Sequence, residues 1–432
     1  MRRIMRTVAA ALFATLFVTG ATSAATTITF WHDWGGENAQ ILQDIVSRFE
    51  AQNPDIQVDV QLTSDLSQKL LVAIMGGIAP EVALLDRWMT SSLAAQGGLT
   101  NLDPFIERDQ VYREDYFPPT WEEAMFLGRS YGIPFNTDTR ALFYHEGMFL
   151  EAGLDPNDPP STWDDLRLNA SKVTRRNPDG SLRQVGYVPH WGQPNIVHYL
   201  MQNGGSIFNE DQTLVTFHHE RGIEALEWMV DFTDFYGGVT ALDEFGATIQ
   251  VSGPIPAVLG GFQAIHYDGN WNLGALRREF RDFYETQLRA ALPPGNRQRA
   301  TLSGGFALVI PRGITDERLE AAWRFIRYMT GFDAQLDMGV RTGNIPALIE
   351  AATDDRYVDD EIRAVFVEAV QYAWFRPNHP TYPRIDEILR VQVQSAALNK
   401  QMSPRAALEE AARQAQAMLD EVNELIRLLN PQ

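Results

Sequence analysis

Aromatic, carboxylate and guanidinium side chains gather at the ends of the apolar runs in this 432-residue chain. Trp31-His32-Asp33-Trp34 follows one such run and Asp86-Arg87-Trp88 follows another. The stretch from Gly260 to Trp271 joins an apolar segment (Phe262, Ala264, Ile265, Tyr267) to a turn at Asp268-Gly269, where glycine tolerates positive φ, and then to Trp271. Such residues support recognition: an indole face stacks on C–H groups, and a carboxylate beside a guanidinium brackets hydroxyls with charge-assisted hydrogen bonds. Trp271 has a second reading, as a core aromatic closing a strand–helix corner. Covalent chemistry has no comparable signal. There is no Gly-x-Ser-x-Gly elbow, His-Glu-x-x-His, P-loop or cysteine. With 56 carboxylates, acid pairs arise by accident, and a secreted glycoside hydrolase would need two of them placed across one pocket. His218-His219-Glu220 is the one dense metal-like cluster; it precedes a helix and lacks a third placed ligand, so it reads as surface. The expectation is a non-enzyme with no metal and no cofactor.

The positioning elements are legible. Residues 27–31 are β-branched and aromatic, Gly35-Gly36 breaks the run, and Ile41, Leu42, Ile45, Val46 and Phe49 recur at helical spacing until Asn53-Pro54. Ile56, Val58 and Val60 alternate with polar residues; a helix over 66–75 and a strand over 82–85 follow. This β-α-β-α-β order predicts a mainly parallel sheet with helices on its faces, so the turns at 31–34 and 86–88 fall at one edge. That carboxyl edge is where open α/β sheets bind ligands. Further on, 131–136, 141–144, 185–188 and 304–310 read as strands, the third ending in His190-Trp191. Thr162 caps a helix with Asp164 and Asp165 in its first turn, 223–235 is an amphipathic helix, and Thr315 caps another. Ser403-Pro404 opens a long helix reaching Leu429.

Composition narrows the partners. The length suggests two or three domains, and 45% apolar residues suffice for real cores. Net charge is −20, and of 36 basic residues only Lys69, Lys172 and Lys400 are lysines, with no run able to grip nucleic acid or an anionic membrane. Arg2, Arg3 and Arg6 precede an apolar run over 8–18 and small residues over 21–25: a secretory signal peptide (1–25), cleaved after Ala24 or Ala25 and too short to span a membrane. With no cysteine there is neither a disulfide framework nor a lipid-attachment site. A soluble periplasmic monomer, not a lipoprotein, is expected.

Motifs in order carry a resemblance. Thr29-Phe-Trp-His32, Ala79-Pro-Glu-Val82, Asp86-Arg87, Tyr131-Gly-Ile-Pro134, Asp268-Gly-Asn-Trp271, Ser303-Gly-Gly-Phe306, Ala321-Ala-Trp-Arg-Phe325, Gly343-Asn-Ile-Pro346 and Ser403-Pro-Arg-Ala-Ala407 run through the mature chain. Together they resemble extracellular solute-binding protein family 1, the periplasmic sugar-binding proteins of ABC importers similar to maltose-binding and glycerol-3-phosphate-binding proteins. The resemblance implies an α/β, two-lobe periplasmic-binding-protein fold (type II), with hinge-linked lobes closing on a ligand cleft. Lobe one would comprise 26–137 and 303–345; lobe two would comprise 138–302 and the helical segment 346–432. It implies a carbohydrate ligand, ABC importer permease subunits as partners, and no nucleic acid or stable membrane insertion. Glycerol-3-phosphate and acidic or sulfonated sugars are the alternative ligands. Implied ligand-binding residues are His32, Asp33, Trp34, Asp86, Arg87, Asp138, Asn270 and Trp271, with Trp191 and Trp374 as further stacking candidates. Gly304 and Gly305 would let a ligand approach backbone N–H groups. Arg341 and Arg376 could reach the cleft, with a helix C-terminal or surface role as the other reading of each. Because Asp33, Asp86, Asp138 and Asp268 sit at inferred cleft edges with Arg87 as the one cation, a mostly neutral ligand is expected.

Overall fold

The computed structural model describes residues 25–429, and the sequence-predicted signal peptide lies outside the described residues apart from its last position. The chain opens with strand β1 (Thr26–His32), helix α1 (Gly36–Gln52), strand β2 (Ile56–Leu62), helix α2 (Leu66–Gly76) and strand β3 (Val82–Asp86). β1 lies between β2 and β3 and runs parallel to both, with Thr26 opposite Ile56 and Phe30 opposite Val82. α1 buries the residues whose spacing predicted it: Ile41, Leu42, Ile45, Val46 and Phe49. Phe49 and Phe30 both meet Phe325 edge-on at 5.2 Å, so α1 and the helix Asp316–Met329 share one apolar face of the sheet. Strands Phe306–Val309 and Gly132–Pro134 complete the five-stranded sheet in antiparallel sense.

The second lobe is built on a three-stranded antiparallel sheet, with Arg140–His145 between Ile265–Gly269 and Leu288–Ala291. Helices Ile196–Gln202, Glu220–Tyr236 and Pro404–Leu429 pack beside it through Tyr199, Leu226, Met229, Leu408 and Leu419. Thr162 and Asp165 form a reciprocal capping box, a stabilisation of about 1 kcal/mol. Thr315 stands at the N-cap of Asp316–Met329 without a side-chain cap bond, leaving Asp316 and Glu317 to complement the helix dipole. The expected strand over 185–188 does not form; only Val185 makes a bridge, to Gln263. The reason lies at Tyr187, whose backbone N–H donates to the Tyr236 hydroxyl (3.2 Å) while that hydroxyl donates to the Tyr187 carbonyl (2.8 Å). A side chain satisfies what a strand partner would have satisfied.

The chain passes between the two sheets at residues 136–139, 301–304 and 342–346. Asn136–Thr137 pairs antiparallel with Ile345–Pro346, Asp138 bridges Gly304, and Thr301–Leu302 runs parallel to Ala373–Trp374. Side chains lace these passages. Asn136 Nδ2 donates to Asn344 Oδ1 (3.1 Å), and Asn270 spans two passages, donating to the Gly343 carbonyl and accepting from the Thr139 N–H, both at 2.9 Å. Gly305, at φ +119°, lies so close to Asn136 and Thr137 that a Cβ would collide with their backbone. No described helix is long and apolar enough to cross a membrane.

Candidate functional site

A cavity of about 480 Å³ opens where the carboxyl ends of β1 and β3 face the hinge passages. Because β1 and β3 are parallel, their following turns deliver Trp34, Asp86 and Trp88 to the same edge, and the first turn of α1 adds Asn38. The hinge passages contribute Asp138, Leu302 and Asn344, and the strands they lead into add Arg140 and Phe306; the second lobe contributes Gln193, Asn195 and Trp271; the C-terminal segment contributes Arg376, Asp386 and Arg390. Gly269 explains the placement of Trp271: there is no room for a Cβ against the indole, which folds back onto the strand end. The Arg140 guanidinium lies 4.9 Å from that ring's centroid, and Arg376 lies 5.2 Å from the ring of Trp88. Trp34 meets Phe306 edge-on at 5.6 Å.

The charges in this cavity are unevenly matched. Asp138 is paired with Arg140 and accepts the Gly304 N–H at 2.9 Å. Asp386 accepts from the Tyr382 hydroxyl (3.0 Å) and Arg390 Nε (2.9 Å). The Asp86 carboxylate has no donor among the described residues. Burial pushes its pKa up to about 6; Arg376 and Arg87 oppose the shift, while Asp33 and Asp138 add to it. Arg376 donates from Nη1 to the Ser303 carbonyl (3.3 Å), but its Nε is buried without an acceptor. Asp86 and Arg376 therefore present opposite charges to one space without closing on each other.

Of the residues singled out from sequence, Trp34, Asp86, Asp138 and Trp271 line the cavity. Arg87 does not. Its guanidinium is fully buried on the far side of the strand end, where it meets Glu123 at 3.1 Å and donates to the carbonyls of Asn136 and Gly304. The expected Asp86–Arg87 pair is thus corrected to Arg87–Glu123, since consecutive residues leaving a strand point to opposite sides. Arg341 turns outward to Asp44 (2.7 Å) and Asp337 (3.5 Å). Arg376, for which the sequence leaves both cleft and surface roles open, is part of the wall. His32 is buried beside Phe30, with desolvation lowering its pKa, and Asp33 is exposed on the turn. Asn270 is spent on the hinge, Gly304 gives its N–H to Asp138, and Gly305 packs against Asn136. Trp191 stacks parallel to Phe245 in the second lobe, Trp374 packs edge-on to Tyr382, and Asp268 faces His266 at 3.3 Å.

Sequence reasoning missed Arg140, Asp386, Arg390, Asn344, Gln193 and Asn195 as cavity residues. Only Arg140, two positions after Asp138 at a passage, carried a usable signal. A larger groove of about 1090 Å³ runs beside helix Pro404–Leu429 past His218 and His219, away from the sheet edges. Among the described residues no three His, Cys, Asp or Glu side chains converge as a metal site.

The geometry agrees with comparisons to known proteins. A family model described as bacterial extracellular solute-binding protein matches residues 35–336. The chain is 24% identical over 374 residues to a maltotriose-binding protein of Pyrococcus abyssi, covering 84% of this chain and 77% of that relative. It is 32% identical over 204 residues to the sn-glycerol-3-phosphate-binding periplasmic protein UgpB of Escherichia coli K12, a match spanning 45% of each chain. The solved structure of CpMnBP1 with mannotriose bound superposes with a TM-score of 0.80 at 23% identity, covering 90% of this chain and all of that one.

Proposed function

The chain belongs to the family of bacterial extracellular solute-binding proteins, and on that footing we propose that it is the periplasmic binding component of an ABC importer for a carbohydrate. It closes its two lobes around the ligand and delivers it to the membrane permease subunits. The observation that carries the carbohydrate reading is the unmatched Asp86 and Arg376 in an aromatic-walled cavity. A sugar supplies what each lacks, hydroxyl donors for the carboxylate and oxygen acceptors for the guanidinium, while its C–H faces meet Trp34, Trp88 and Trp271. Ligand that contacts both lobes stabilises the closed form through its differential contacts.

In this reading residues 26–137 and 303–345 form one lobe and 138–302 and 346–432 the other, so that every passage between the sheets is a hinge strand. The segment 1–25 is a signal peptide that sends the protein to the periplasm as a monomer. Calorimetric titration with a panel of neutral mono-, di- and trisaccharides tests the proposal; saturable binding of at least one, without turnover, is expected. Arg376 supports a second reading, an acidic or phosphorylated sugar or polyol, because its buried Nε has no protein acceptor. Tight binding of glycerol-3-phosphate with silence from every neutral sugar would replace the first reading by the second.

A further inference from the structure

The cavity wall carrying Asp386 and Arg390 is built unlike any of the sheet-edge turns. Tyr382–Glu387 is an α-helix, Ile388–Val393 continues as a π-helix, and Gln394–Leu398 returns to α-helical geometry. A π-turn gives up regular hydrogen-bond geometry and occurs mostly where it re-aims side chains at functional sites. Here Ile388, Leu389 and Val393 anchor it in the second lobe's core, while Arg390 within it and Asp386 just before it face the cavity.

The two side chains sit at different depths. Asp386 is buried, each carboxylate oxygen accepting one protein hydrogen bond and retaining capacity for a second. The Arg390 side chain is half exposed; among the described residues only its Nε is engaged, and both terminal nitrogens are without a partner at the mouth beside the exposed Gln193. Polar groups are therefore offered at two levels: Asp86 and Arg376 inside, Arg390 and Gln193 at the rim. A ligand long enough to present polar groups at both levels engages both sets. The cavity volume of about 480 Å³ falls within the range of pockets that enclose whole small ligands, roughly 300 to 1,000 Å³.

Resting on the carbohydrate reading above, we propose that Arg390, oriented by Asp386 on the π-turn, is a specificity-determining residue that selects ligand length. It hydrogen-bonds a second sugar unit, or an equally polar aglycone, at the mouth of the cavity, so the ligand class is a disaccharide or polar glycoside and not a single sugar.

The experiment is calorimetric titration of wild type, Arg390→Ala and Arg390→Lys with matched pairs, glucose with maltose and mannose with mannobiose, extended over a panel of neutral mono- and disaccharides. Thermal unfolding of each variant checks that the fold is kept, which the exposure of Arg390 favours. The wild type is expected to bind its disaccharide at least tenfold tighter than the corresponding monosaccharide. Arg390→Ala should reduce that preference to threefold or less, with the disaccharide losing more affinity than the monosaccharide, and Arg390→Lys should restore part of it. An unchanged preference in Arg390→Ala, equal losses on both members of a pair, or a wild type without the preference overturns the assignment while leaving the carbohydrate reading standing. A wild type that binds no carbohydrate at all overturns that reading, and this inference with it.

Discussion

The hinge and the cavity are made from the same residue types, lie within a few residues of each other, and differ in one respect. At the hinge every key polar group has a partner within the protein: Arg87 has Glu123 and two carbonyls, Asn136 has Asn344, Asn270 has Gly343 and Thr139, and Thr137 has Ser303 at 3.0 Å. In the cavity the half-buried Asp86 carboxylate has no donor among the described residues and the buried Arg376 Nε has no acceptor. A buried polar group left unpaired costs about 1 to 3 kcal/mol, so such groups persist where something outside the chain completes them. Adjacent residues Asp86 and Arg87 fall on opposite sides of this division: one is left without a protein donor among the described residues, the other locks the joint.

The sharpest way to break that contrast is at Arg87. Arg87→Ala leaves the Glu123 carboxylate buried without its cation and strips two hinge carbonyls of their donor. Unfolding in urea should show a loss of about 3 to 5 kcal/mol, the usual result of breaking one side of a buried ion pair. A loss below about 1 kcal/mol would mean that the hinge does not depend on this lock.

Asp86→Asn should act in the opposite sense on the two properties. Ligand affinity is expected to fall at least tenfold, because an amide cannot accept through both of its ends as a carboxylate does. The free protein should gain stability at neutral pH. Burial raises the Asp86 pKa in the folded state to about 6 from an ordinary value near 3.8. Its favourable contribution is therefore complete below about pH 4 and is lost as pH rises through about 6. Melting at pH 7.5 should favour the variant by about 1 to 3 kcal/mol, and melting at pH 4 should show little difference. Equal stability at pH 7.5 would show that Asp86 is not held in an unfavourable charged state.

The division also explains which parts could be read from sequence. The first lobe was legible because its signals are local: alternation in β2, helical spacing in α1, and parallel strands that place two turns at one edge. Trp34 and Asp86 followed from that edge. Most of the cavity is assembled from distant segments. Arg376 lies in the irregular stretch between Ala373–Trp374 and Tyr382–Glu387, and reaches the hinge only because Ser303 donates its N–H to the Trp374 carbonyl at 2.8 Å. Arg390 is re-aimed by a π-turn that has no periodic signature. Arg341, which the sequence allows to reach the cleft, meets Asp44 of α1 instead. The missing strand at 185–188 has the same origin, a tyrosine hydroxyl contributed by Tyr236, 49 residues away from Tyr187.

The smallest expected effect concerns a contact that belongs to neither region. Arg278 Nε meets Glu37 Oε2 at 2.5 Å, joining the helix that follows Trp271 to the first turn of α1, beside the cavity residue Asn38. Both side chains remain partly exposed, so the pair stabilises by no more than about 1 kcal/mol. By the lobe division proposed above it joins the two lobes at the cavity rim, so the energy it supplies is expected to favour the closed arrangement. Against a balance between open and closed forms, about 1 kcal/mol shifts the ratio roughly fivefold. Arg278→Ala should therefore expand the unliganded protein in solution scattering and weaken ligand binding by about two- to fivefold. Dimensions at saturating ligand should not change, because ligand contacts then dominate the balance. The difference between variant and wild type should also disappear in 1 M salt, where the screening length falls to about 3 Å. Identical scattering and affinity for the two proteins at low salt would remove the pair from any role in closure.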